Sequence, residues 1–197
     1  MTISEVNAME KMEFLERFGG VYECSPWVAK RVLEMGPFED FEHLTGQLRK
    51  VVEAAGEAER RKLILAHPDL AGKPGVGNLT AESRKEQQGV GLDRLTGEES
   101  EVFSGLNAAY RRSFGFPFII CVEGLEQAGI TRAFNERLLN NVNDELRTAM
   151  DEVHKIARVR VERIKGEFRG KKCGEGREFF RESDCAEGYK DTSFRET

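Results

Sequence analysis

NDELRTAMDEVHKIARVRVERI, residues 143–164, sets Leu146, Met150, Val153, Ile156, Ala157, Val161 and Ile164 at three- and four-residue steps. That spacing puts them on one side of a helix about six turns long and leaves the charges on the other. Nothing in the stretch alternates as a half-buried strand would, and the same period recurs through the rest of the chain. The reading is therefore all-α: a single compact multi-helix domain over residues 1–166.

Working outward from that helix, a second one is expected from about Thr131 to Asn140, and another from Thr96, whose Glu98 and Glu99 suit the positive end of a helix, with Val102, Leu106, Ala109 and Tyr110 inward. Between these two lies Phe114-Gly115-Phe116-Pro117-Phe118-Ile119-Ile120-Cys121-Val122, whose glycine and proline predict an extended, buried segment. Its backbone N–H groups, lacking helical partners, are available to bind a ligand carbonyl or carboxylate. Upstream, helices are expected over Met9–Phe18, from Ser25-Pro26 to Gly36-Pro37 with Trp27, Val28, Val32, Leu33 and Met35 buried, over Phe41–Ala55, over Glu57–Ala66, and, shorter, over Glu82–Gln88 with Thr80 or Ser83 as cap. His67 to Thr80 holds two prolines and three glycines and reads as a loop. After Ile164 glycines mix with many charges, so residues 167–197 read as a weakly ordered tail.

The chain has 197 residues, 39% of them hydrophobic and 33% charged, with a formal net charge of −5. Its longest apolar stretch, Phe114 to Val122, falls short of the roughly 20 residues that a membrane span needs. An acidic balance disfavours nucleic acid and anionic membranes as partners, so a small molecule is the expected ligand. The N-terminus, Met1-Thr2-Ile3-Ser4-Glu5-Val6, shows no export or transit pattern, and a cytoplasmic location is expected. The four cysteines, Cys24, Cys121, Cys173 and Cys185, form no CxxC pair; Cys24 and Cys121 read as reduced core residues.

Candidate chemistry gathers in two places, His67-Pro68-Asp69-Leu70-Ala71-Gly72-Lys73 and Ser83-Arg84-Lys85-Glu86-Gln87-Gln88-Gly89. Pro68 pushes His67 toward extended geometry and so aims its imidazole from a helix end. His43, His67 and His154 fit no metal-ligand spacing, and the glycines after Gly72 lack the GK[ST] ending of a phosphate loop. Arg158 and Arg160 sit among Ile156, Val159 and Val161, where an inward guanidinium would seek an anion.

In this order His67-Pro68-Asp69-Leu70-Ala71, Ser83 with Glu86-Gln87 and Gly89-Val90-Gly91-Leu92, and Phe114-Gly115-Phe116-Pro117-Phe118 resemble one known family. Ser25-Pro26-Trp27, Pro37-Phe38 and Ile156-Ala157-Arg158-Val159-Arg160-Val161 extend the likeness over about residues 7 to 165. The family is 2-oxo-4-hydroxy-4-carboxy-5-ureidoimidazoline (OHCU) decarboxylase, of uric acid degradation. The resemblance implies an all-α, cofactor-independent, homodimeric enzyme that removes CO2 from an unstable ureidoimidazoline and releases (S)-allantoin. It places the catalytic histidine on His67, the carboxylate and amide on Glu86 and Gln87, and the substrate-holding arginine on Arg160, with Arg158 as a rival. Pro68, Ser83, Arg84, Lys85 and the run Phe118, Ile119, Ile120, Cys121 and Val122 match the binding positions; no metal is implied. Cys24, Val90, Val159 and Val161 depart from the family's usual residues, and the tail has no counterpart. Two other readings are a helical binding module of the same fold without catalysis and a metal-dependent hydrolase.

Overall fold

The computed structural model describes residues 1–72 and 79–167, and among these every regular element is a helix. In chain order they are α1 (Ile3–Asn7), α2 (Lys11–Phe18), α3 (Pro26–Leu33), α4 (Phe41–Glu53), α5 (Glu57–Leu65), α6 (Ala81–Gly89), α7 (Gly97–Phe114), α8 (Gln127–Arg137) and α9 (Val142–Glu167). The reading of residues 167–197 as a tail lies outside the described residues, Glu167 excepted, as does most of the glycine-rich loop after Gly72.

Starts and stops follow local chemistry. Thr96 and Glu99 form a reciprocal capping box at α7, Asp40 caps α4 through the His43 N–H, and Thr80 caps α6 through the Ser83 N–H. Ser25 stands at the N-cap of α3 with Pro26 first in the helix, but its side chain makes no capping bond. Gly115, at φ 74°, ends α7 in the left-handed conformation that glycine adopts without strain. The short α1 went unforeseen, although Thr2 and Glu5 form a second capping box.

The helices converge on α9, which packs against α4, α5 and α7. Its buried stripe is Glu145, Ala149, Val153, Ala157 and Val161, with His154 and Arg160 beside it. Met35, Val102 and Leu146, expected inward, are exposed. In α7 the core stripe is Phe103, Asn107, Tyr110 and Phe114, one residue out of step with Val102. In α9 the first inward turn presents Glu145, not Leu146, because Glu145 answers a buried arginine.

That arginine, Arg137 at the end of α8, gives Nε–H and Nη2–H bonds to Glu145 Oε1 at 2.8 and 2.5 Å and an Nη1–H bond to the Ile119 carbonyl at 2.7 Å. Its guanidinium also lies over the Phe118 ring, which stacks on Phe134 with centroids 3.6 Å apart. The Tyr110 hydroxyl and Asn140 Nδ2–H complete the ring of donors around Glu145. Residues 117–122, in neither helix nor strand, are pinned against the core by this cluster. Cys24 is disulfide-bonded and only half-buried, which corrects its reading as a reduced core residue; pairing depends on approach in space, which spacing along a chain does not display. Cys121 is free and half-buried.

Candidate active site

At the C-terminal end of α5 the chain must satisfy carbonyls that no further turn will reach. His67 does so twice: its backbone N–H bonds the Ile64 carbonyl at 3.2 Å, and its ring lies 2.9 Å, through Nδ1, from the Leu63 carbonyl. A carbonyl only accepts, so Nδ1 carries the proton and the neutral ring keeps a lone pair on Nε2, which has no protein partner among the described residues. The ring lines an open cleft with about 370 Å³ of empty space, its solvent-filled mouth included. Burial lowers the His67 pKa; Glu23 and Glu86 oppose that shift and Arg160 reinforces it. The imidazole is thus held neutral, ready to accept a proton.

The loop beyond it is braced from three directions. Arg111 pairs with the Asp69 carboxylate at 2.9 Å, Asn107 Nδ2–H bonds the Leu70 carbonyl at 2.8 Å, and the Ala71 N–H bonds Gln87 Oε1 at 3.0 Å. Ala71 sits at φ 52°, a strained position for alanine, so the Gln87 bond matters there. Because the amide oxygen must face that N–H, the orientation of Gln87 is fixed. Its Nε2 reaches the Asp69 carbonyl at 3.4 Å with one N–H and keeps a second N–H free of that contact.

The capped α6 brings Ser83, Glu86 and Gln87 to the same wall, one turn apart. Arg84 and Lys85, expected among the binding positions, are exposed and line no part of the cleft: at 100° per residue they fall on the opposite side of the helix. From α9, Arg160 enters with 4% of its surface exposed, whereas Arg158, about 200° away round the helix, faces outward. Arg160 gives Nε–H and Nη2–H bonds to the two oxygens of Glu86 at 2.8 and 2.9 Å, and Arg163 adds an Nη1–H bond to Glu86 at 3.2 Å.

The remaining wall is the 117–122 segment. Phe118, Ile119, Ile120 and Val122 line the main cleft with Pro68, Leu70 and Ile156, while Cys121 belongs to an adjoining hollow of about 220 Å³ with Glu123, Val159 and Arg163. The Cys121 N–H is taken by Glu152 at 2.8 Å, and burial pushes the Cys121 thiol pKa up. Among the described residues, the backbone N–H groups of Phe118, Ile119, Ile120 and Val122 have no acceptor. They are the donors expected of a segment without helical partners.

Glu23 was not anticipated. It lies in the turn between α2 and α3, 1% exposed, and receives hydroxyl hydrogen bonds from Thr80 at 2.7 Å and Ser83 at 2.9 Å and an ion pair from Arg160 at 2.8 Å. Burial works against its charge, but Arg160 and the Thr80 hydroxyl outweigh burial and hold the carboxyl below its ordinary pKa. The one sequence signal was an acid set between Val21-Tyr22 and the Ser25-Pro26 helix start. No group of three or more His, Cys, Asp or Glu side chains among the described residues is placed to hold a metal ion.

A neutral imidazole with a free lone pair, set in a cleft beside a carboxylate and an amide, can move protons on a small polar molecule, the kind of site a helical acid–base enzyme would have. Residues 7–162 match the family model for OHCU decarboxylase, and the chain belongs to that family. Among similar proteins, the 2-oxo-4-hydroxy-4-carboxy-5-ureidoimidazoline decarboxylase of Haloferax volcanii is 37% identical over 161 residues, 82% of this chain and 94% of its own length. The mouse protein of the same name is 35% identical over 167 residues, 84% and 94% of the two chains. A crystal structure of (S)-allantoin synthase is similar with a TM-score of 0.68 and 27% identity, covering 83% of this chain and 54% of that one. A crystal structure of OHCU decarboxylase in the presence of (S)-allantoin shares the fold, with a TM-score of 0.62 at 22% identity over 77% of this chain and 98% of that one.

Proposed function

We propose that this protein converts 2-oxo-4-hydroxy-4-carboxy-5-ureidoimidazoline to (S)-allantoin and CO2 in urate breakdown, with His67 moving the protons. Family membership supports the reaction, and the free Nε2 of a neutral, tautomer-fixed His67 in the cleft is the observation that carries the role. When the carbon–carboxylate bond breaks, CO2 leaves and the bonding pair moves into the adjoining imine of the ring, whose nitrogen takes a proton. The neighbouring hydroxyl then loses its proton to become a carbonyl, and the carbon bearing the ureido group gains one. His67 Nε2 suits both of these last transfers, as acceptor and then, as imidazolium, as donor. The imine is already an electron sink, so the chemistry asks for no external one.

Gln87 and the backbone N–H groups of Phe118, Ile119, Ile120 and Val122 offer hydrogen bonds to the ureido and ring oxygens, and Pro68 closes the wall beside His67. Glu86 presents an oriented carboxylate, backed by Arg160 and Arg163. The same reading carries a homodimer working in the cytoplasm; light scattering on the purified protein checks the first and cell fractionation the second.

Freshly generated substrate decays spontaneously with either ring face open, which gives racemic allantoin. A site that holds the ring in one orientation presents one face to the donor. Added protein is expected to speed the decay and to give (S)-allantoin carrying one deuterium at the ureido-bearing carbon in D2O, read by circular dichroism and mass spectrometry in the first minutes. Unaccelerated decay overturns the decarboxylase reading. Accelerated decay to racemic product restricts the protein to CO2 loss.

A further inference from the structure

We propose that Glu23 is a positioning residue of this cleft, closing the Arg160 guanidinium so that Arg160 acts on the substrate only through Glu86 and Ser83. The inference rests on the decarboxylase reading of the site and deepens it. A guanidinium has five N–H groups and no more. In Arg160 the Nε–H goes to Glu86 Oε1, an Nη1–H to the Gly20 carbonyl at 3.0 Å, and the Nη2 pair to Ser83 Oγ at 3.1 Å and to Glu86 Oε2, while Nη1 stands 2.8 Å from Glu23 Oε2 as an ion pair. Four of the five donors make hydrogen bonds inside the protein, and the remaining Nη1–H lies in the ion pair with Glu23. The Ser83 hydroxyl gives its proton to Glu23 and accepts from Arg160, which leaves it one lone pair.

Glu23 is the piece that completes this count. One of its oxygens takes the Thr80 hydroxyl and the other takes Ser83 and Arg160, so a single carboxylate ties the N-cap and first turn of α6 to the middle of α9. Glu86 and Gln87 stand three and four residues beyond Ser83 on the same helix, and their placement over the cleft follows from that tie. Its charge also acts on His67, which faces Glu23 from the α2–α3 turn, Glu86 from α6, Arg160 from α9 and the Leu63 carbonyl of its own helix. Taking away the negative charge of Glu23 leaves Arg160 less compensated and makes protonation of His67 harder.

The test uses the full chain with Glu23→Gln, which keeps the shape and removes the charge, and Glu23→Asp, which keeps the charge. In Glu23→Gln the NMR titration midpoint of the His67 ring, followed without substrate, is expected to fall by about one pH unit. The acid limb of kcat/KM moves down by the same amount, because His67 must be neutral to accept a proton. With α6 loosened, kcat falls roughly tenfold while KM changes far less, since Glu23 does not touch the substrate. Glu23→Asp restores the His67 titration. A His67 midpoint and kcat unchanged in Glu23→Gln would overturn the proposal.

A crystal structure of the unaltered protein with allantoin tests the closure separately, including the case in which Glu23→Gln does not fold. No guanidinium nitrogen of Arg160 is expected within hydrogen-bond distance of the ligand, and a direct bond there refutes the inference. Failure of the unaltered protein to turn over substrate would sink the decarboxylase reading alone, because the His67 titration needs no turnover.

Discussion

Replacing Arg137 by Met removes the only cation that the described structure sets against a carboxylate with none of its surface exposed. Glu145 would keep the Tyr110 hydroxyl and Asn140 as donors but lose two charged hydrogen bonds, and the Ile119 carbonyl would lose its donor. Breaking a buried pair from one side costs about 3–5 kcal/mol, because the remaining charge stays uncompensated. In a chain of this size that lowers Tm by roughly 6–20 °C. Urea unfolding followed by helical circular dichroism and by the fluorescence of Trp27 measures the loss. Glu145→Gln alone and the double variant complete a cycle, and the double variant should lose clearly less than the sum of the two singles. Substrate affinity should fall as well, since the 117–122 segment hangs on the Arg137 bond to Ile119. A loss below about 1 kcal/mol in Arg137→Met, or strict additivity in the cycle, would refute the view that this pair holds the segment.

His67→Ala is expected to lower kcat/KM by more than about tenfold with the helical signal intact; a smaller loss, under about 1.4 kcal/mol, would remove His67 from the chemistry. Stability should fall as pH drops from 6.5 toward 4. Burial, with Arg49 adding to it, pushes His154 down to about 4, so across that window the unfolded chain binds a proton that the folded one refuses, at up to about 1.4 kcal/mol per pH unit; above 6.5 the contribution is fully present. Tm measured from pH 4.5 to 8 should fall less steeply on the acid side in His154→Gln, and an unchanged slope would show that His154 is not responsible.

Much of this was visible in the residues. Helix spans followed from apolar spacing and from local stops such as Gly115, and His67, Ser83, Glu86, Gln87 and Arg160 do line one cleft. The outward placement of Arg84, Lys85 and Arg158 was also available, since helical period alone separates them from the inward residues beside them. Glu23 and the Arg137–Glu145 pair were not legible, for a shared reason. A buried charge is recognised by its partners in space: those of Glu23 lie 57, 60 and 137 residues along the chain, and Arg137 and Glu145, though only eight residues apart, sit on two different helices. Read locally, each looks like another charge on a solvated face. The disulfide at Cys24 escaped for the same want of spatial information.

The cleft draws on chain segments near residues 20–23, 63–71, 80–87, 118–122 and 156–163, so its parts meet only when distant stretches have docked. Catalytic competence in such a protein is a late event on the folding route, and partial structures with most of their helices formed should be inert. It also makes activity fragile in a particular sense. A local opening that lifts α6 from α9 by one turn abolishes turnover while the helical content barely changes, so inactivation on heating should precede the loss of circular dichroism, and amide exchange around residues 80–87 should mark the cooperative unit that lets go first.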